Sequence, residues 1–269
     1  MSALQDRRRI LGPTDTVRLR VPREGDFPKV EREQERSRGP HEMRKIFLKQ
    51  GIVANASGSA YVEIGDCQIQ CTVNGPKPVR GLFTTQADLA VEFKFAPTTS
   101  TRTSLHGNNP EAALETHIAS FVQSSVGPSI LLDKYPKSSI HILLTVLSAD
   151  SNTKSLAAAA VCAASVAVVD AGIAIRDIVT SGSVLLERQG AEIKSYSDPQ
   201  CSGEEGDIEA VVSYMTARND EITGIWFEGG AISPREMEST LKTTKNGATE
   251  VRALVNAVLL DEFKANNND

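Results

Sequence analysis

The stretch "IHILLTVLSADSNTKSLAAAAVCAASVAVVDAG" (140–172) holds two regular segments and the junction between them. Its first part is apolar and β-branched, which predicts a long strand. "ADSNTK" (149–154) is a short polar turn. The run from Ser155 to Asp170 is built from Ala and Val, and Ala171-Gly172 closes it, so it reads as a helix over 153–170. Its alanines let other backbone come close, which predicts tight packing on a sheet. A turn at a helix N-terminus presents unpaired N–H groups and the positive end of the macrodipole. Phosphate binds readily at such a place, and Thr153 and Lys154 add a hydroxyl and a cation. The other reading is an ordinary helix start with Ser151, Asn152 or Thr153 as N-cap.

On the N-terminal side, "IFLKQGIVAN", "GSAYVEIGD" and "CQIQCTVNGP" alternate apolar with polar residues and are separated by turn chemistry, so three strands are expected from Ile46. "GD" between two alternating runs predicts a tight hairpin. "PKPVRGLFTTQ" reads as a loop, "ADLAVEFKFAP" as a further strand and "TTSTRTSLHGNNP" as a polar loop. A helix follows from Pro110, with Leu114, Ile118, Phe121, Val122 and Ser125 on one face. Beyond Gly172, "DIVTSGSVLLE" is a strand and 188–206 a loop. "DIEAVVSYM" and "EITGIWFEGG" form a hairpin, and two helices follow, "REMESTLKTTK" and "NGATEVRALVNAVLLDEFK". The order predicts an α+β fold, a mixed sheet with helices packed on it.

The 269 residues, 40% of them apolar, suffice for a sizeable core. The opening "MSALQDRRRILGP" has no apolar h-region, so no secretory signal is expected. The apolar run 156–169 reads as a buried helix, and no membrane association is expected. Cys67, Cys71, Cys162 and Cys201 form no CxxC pair, which predicts a reduced intracellular protein. The four histidines lack metal-ligand spacing, so no metal and no other cofactor is proposed. Charge is uneven. Residues 1–45 carry twelve Lys or Arg against eight Asp or Glu, and the rest seventeen against twenty-six. An acidic body with a basic arm is not a generic nucleic-acid binder, so any RNA contact must be local. Four prolines and few large apolar residues predict that 1–45 is an extended arm, with the folded domain over 46–265.

Five pieces, in order, resemble the RNase PH-like proteins. They are "GSAYVEIGDCQIQCTVNGP" (58–76), "FKFAP" with Arg102 (93–102), "YPKSSIHI" (135–142), "VLSADSNTKSLAAAAVCAASVAVVDAGI" (146–173) and the hairpin ending in "FEGG" (207–230). They cover roughly 46–262. "QDRRRILGP" (5–13) is similar to the N-terminus of a ring subunit of the eukaryotic RNA exosome. The resemblance implies the ribosomal protein S5 domain 2-like fold. It also implies a place in a hetero-oligomeric ring of RNase PH-like subunits, beside a cap RNA-binding subunit, with single-stranded RNA in the channel and separate nucleases attached. The function implied is non-catalytic: scaffolding the ring and threading RNA for 3′→5′ processing, rRNA maturation and turnover in nucleus, nucleolus and cytoplasm. The alternative is a phosphate-dependent 3′→5′ exoribonuclease.

Phosphorolysis needs a held phosphate, positive charge against the RNA phosphates and an acid near the leaving oxygen. The resemblance places the phosphate turn at Asn152, Thr153 and Lys154, the two acidic positions at Gly203 and Glu209, and the lysine position at Val211. Lys154 is a point charge where arginine would offer a fork, Asn152 adds bulk, Gly203 has no carboxylate and Val211 no cation. The set is therefore degenerate, although Glu204 lies next to Gly203. Glu204, Glu205 and Glu209 also read simply as solvated carboxylates. The resemblance further suggests Arg102 as an RNA-backbone contact, with Arg80 in "PVRG" second and Lys94 third; Arg102 reads as readily as a surface cation, and Arg80 and Lys94 more readily so. In the arm, Arg7, Arg8 and Arg9 could meet RNA phosphates, but Asp6 beside them and Ile10-Leu11 after them favour docking on another exosome subunit.

Overall fold

The structure, a computed structural model, describes residues 38–81, 83–96, 110–150, 152–189, 192–201, 203 and 207–267. Strands β1 (Ile46–Gln50), β2 (Gly58–Ile64) and β3 (Cys67–Pro78) form an antiparallel meander. Gly65-Asp66 makes the two-residue turn between β2 and β3, as the "GD" pair predicts. Strand β4 (Asp88–Phe95), helix α1 (Pro110–Val126) and strand β5 (Ser138–Ser148) follow. β4 and β5 pair in parallel, which requires a crossover, and α1 lies in it. The first sheet runs β1-β2-β3-β5-β4 and is mixed. Period-2 alternation sends Ile69, Cys71 and Val73 of β3, and Ile140, Ile142, Leu144 and Val146 of β5, into the core.

The later strands form a second sheet of their own, entirely antiparallel, in the order β7-β6-β8-β9. They are β6 (Val179–Gln189), β7 (Glu192–Ser197), β8 (Ile208–Met215) and β9 (Glu221–Gly229). β7 corrects the expectation of an uninterrupted loop over 188–206. Its "EIKSYS" has little apolar signal, and pairing with the edge of β6 makes it a strand.

Helix α2 (Thr153–Asp170) lies against β2 and β3 of the first sheet and against β6 and β8 of the second. Fifteen of its eighteen residues are buried, so it keeps no polar face. It is long and apolar enough to cross a membrane, but its surroundings here are the two sheets. Small residues permit the close approach. A Cβ on Gly58 of β2 would stand 2.2 Å from the Ala171 nitrogen and 2.5 Å from the Ala167 oxygen. One core cluster consequently spans residues of both sheets and all three helices.

Helix α3 (Pro234–Asn267) packs mainly on β6 and β8. A capping box starts it: the Ser233 N–H donates to Glu236 Oε2 at 2.5 Å, and Ser233 Oγ accepts the Glu236 N–H at 3.3 Å. It is one helix, not the two expected. Asn246-Gly247 reads as a break, yet Ala248, Val251 and Val255 continue the buried face across it. Their burial outweighs the low helix propensity of glycine, which is about 1 kcal/mol.

The folded body also begins earlier than the expected 46. The Ser197 N–H donates to the Pro40 carbonyl at 2.8 Å, Met43 packs on the core and Arg44 is buried. A charged run without periodicity hid this, because the partners are far away in sequence. Arg7, Arg8, Arg9, Ile10 and Leu11 lie outside the described residues.

Candidate functional site

The turn before α2 lies beside the residues singled out for phosphorolysis, whereas the suggested RNA contacts and the arm lie elsewhere or outside the described residues. Asn152 is the N-cap: its backbone is extended (φ −88°, ψ 114°) and Oδ1 accepts the N–H groups of Lys154 and Ser155, both at 2.9 Å. Its Nδ2 donates to Glu209 Oε1 at 3.1 Å and to the Cys201 carbonyl at 3.2 Å. Glu209 Oε1 also accepts the Gly203 N–H at 2.8 Å. Thr153 is the first helical residue and half-buried.

Lys154 has no exposed surface. Its Nζ donates to Glu228 Oε2 and stands 3.8 Å from the centroid of the Trp226 ring. His117 and Phe121 of α1 hold that ring from beyond, with centroids at 4.4 and 5.8 Å. Register explains the gathering. In the β8–β9 ladder Glu209 stands opposite Glu228, and Val211 opposite Trp226. All four therefore share one face. Val211 is fully buried in the main core and acts there as a packing residue.

Glu228 and Trp226 went unnoticed in the sequence, although a signal existed. "IWFEGG" alternates, so Trp226 and Glu228 must lie on one face. That this face meets Lys154, 74 positions away, depends on α2 lying against the second sheet.

A second network was also missed. Arg44 Nε and Nη2 donate to the two oxygens of Asp198 at 2.8 and 2.7 Å, and its N–H to Oδ2 at 2.9 Å. Nη1 meets Asp150, and Nη2 meets Ser155 Oγ at 2.5 Å. Burial works against a charged Asp198, but Arg44 outweighs it and holds that carboxyl below the usual range. Asp150 moves the other way, pushed up by burial more than Arg44 relieves it. Burial pushes the nearby Cys67 thiol up to about 12, so it is no nucleophile. This cluster ties the segment before β1, the turn before α2 and the end of β7 to one another.

The suggested RNA contacts are not brought together. Arg102 lies outside the described residues. Arg80 is exposed just beyond β3. Lys94, on the edge strand β4, gives its Nζ to Glu115 at 2.6 Å and so is not a free cation. Among the described residues no group of three His, Cys, Asp or Glu is placed to hold a metal ion.

Comparison with known proteins bears on the family of this chain. Residues 42–174 match the 3′ exoribonuclease family, domain 1. The chain is 32% identical to the exosome complex component mtr3 of Schizosaccharomyces pombe, over 97% of this chain and 99% of that protein. It is 28% identical to MTR3 of Chaetomium thermophilum, over 96% and 98%. Its fold matches a chain of the Archaeoglobus fulgidus exosome with RNA bound to the active site, at a TM-score of 0.66 and 19% identity, over 80% and 90%. Shared length, shared domain and shared fold agree: the chain belongs to the RNase PH-like family, in the group of the exosome complex component mtr3.

Proposed function

We propose that this chain is a non-catalytic ring subunit of the RNA exosome core. It scaffolds the ring with other RNase PH-like subunits, meets a cap RNA-binding subunit and helps thread single-stranded RNA toward associated nucleases. Its processes are rRNA maturation and RNA turnover in nucleus, nucleolus and cytoplasm. The near full-length match to mtr3 proteins supports the ring assignment.

One observation carries the non-catalytic part: the cap, the cation and the carboxylate gathered at the turn before α2 already have partners within the chain. Asn152 takes the amides of Lys154 and Ser155, Glu228 takes the Lys154 ammonium, and Glu209 is held by Gly203 and Asn152. Val211 supplies no cation. Arg102 and then Arg80 remain the proposed RNA contacts, with Lys94 third because Glu115 already holds it. The arm residues Arg7, Arg8, Arg9, Ile10 and Leu11 are proposed to dock on a neighbouring subunit.

The test is digestion of a 3′-ended RNA, with and without inorganic phosphate, by the full chain and by its reconstituted ring. No nucleoside diphosphate is expected from this chain's site. Phosphate-dependent release that disappears with Lys154→Met would establish the phosphorolytic exoribonuclease instead.

A further inference from the structure

The pair formed by Lys154 and Glu228 is unusual in its burial. The lysine side chain is 0% exposed and the glutamate side chain 67% exposed. Among the described pairs the other uneven ones run the opposite way, with the cation more exposed: Lys94 and Glu115 at 59% and 14%, Arg188 and Glu236 at 34% and 8%. Lys154 is thus a buried cation whose counter-ion comes from the solvent side. Trp226 lies against Nζ and stabilises the charge only in part, since the ring face carries no full negative charge. A buried ammonium with no anion costs more than that ring contact returns. An anion at Nζ therefore stabilises the fold, and the Glu228 carboxylate supplies it. Lysine binds oxyanions as a point charge with no demand on their geometry, so a free oxyanion would serve equally well.

We infer that Glu228 is a resident counter-ion that occupies the oxyanion position beside Lys154, closing it to inorganic phosphate, and that removing its charge opens a site there for a phosphate-class oxyanion. The inference rests on the non-catalytic reading of this turn and gives it a cause. Asn152 still caps the helix amides, so the opened site binds an anion without regaining the machinery of phosphorolysis.

The experiment follows the thermal midpoint of the full chain while inorganic phosphate replaces chloride at constant ionic strength. Wild type is expected to show no saturable response. Glu228→Gln and Glu228→Ala are expected to melt lower without phosphate and to rise saturably by about 3 °C with it. Sulfate should reproduce the rise, and Lys154→Met in the Glu228→Ala background should abolish it. Glu221→Gln, on the same strand but paired with Arg218, controls for loss of charge. If Glu228→Ala does not fold, Glu228→Gln decides alone, because it keeps the shape and removes only the charge. A saturable rise in wild type, or none in a folded Glu228 variant, overturns the inference. Nucleoside diphosphate release from RNA in the same samples would overturn the non-catalytic reading separately, with the melting curves still deciding the role of Glu228.

Discussion

Asn152 answers in one side chain the question its turn poses. It caps α2 and at the same time donates to Glu209, so it has two roles that substitutions can separate. Asn152→Ala loses both and should destabilise the chain by about 2 kcal/mol in urea unfolding, at the upper end for a lost N-cap. Asn152→Asp caps as well but brings a carboxylate onto Glu209 where an amide donated. It should cost more than Asn152→Ser at pH 7, and the difference should shrink on acidification. Asp198 allows a pH test. Its pKa is held below its unfolded value, so its contribution is complete above about pH 4 and is lost as pH falls through the folded pKa. Asp177, bonded to Arg252, has the same sign, and Asp150 the opposite. Denaturant unfolding of wild type between pH 7 and pH 3 should lose this stability. Asp198→Asn should be lower by about 3 kcal/mol at pH 7, because it leaves buried Arg44 short of a counter-ion, and should approach wild type at low pH. At this scale the sequence named Asn152, Lys154, Glu209 and Val211. It left Glu228, Trp226 and Asp198 unnamed, because no motif links residues that touch across 43 to 154 positions.

Among the elements, α3 departs most from its expected form. A break at Asn246-Gly247 would place Gly247 in a left-handed cap, where alanine is disfavoured. In the continuous helix Gly247 has no positive φ, and an added Cβ would meet Met43 Sδ and Ser197 Oγ at an ordinary 3.5 Å. Gly247→Ala should therefore stabilise the chain by about 0.5–1 kcal/mol, read as a higher urea midpoint with an unchanged slope. Destabilisation of that size would restore the two-helix reading. Gly182 of β6 contrasts with it, since a Cβ there would stand 2.0 Å from the Thr244 oxygen of α3. Element types were legible where periodicity was strong, in β2, β3, β5 and α1, and in α2 from its alanine-rich run and the Gly172 that closes it. β7 and the length of α3 were not, because a neighbouring strand made the one and a buried face across a glycine extended the other.

For the molecule as a whole, α2 sets the cooperativity. Both sheets contribute to the single large core around it, so neither can keep its inner face buried without the other. The two should unfold together. Trp226, the one tryptophan, reports on the second sheet, and far-UV circular dichroism reports on all elements. The two signals should give coincident urea transitions, and separated midpoints would show the sheets to be independent units. The sequence by itself determined the strand–turn–helix unit at 140–172, the hairpins and the α+β class, because local pattern and turn chemistry act over a few residues. Only the tertiary structure decided that the strands divide into two sheets around α2. It alone decided also that the folded body starts before Ile46 and that Glu209 and Glu228 meet the turn before α2. Those outcomes depend on burial, register and charge pairing between distant residues, where a lysine is free or spent according to what the fold sets beside it.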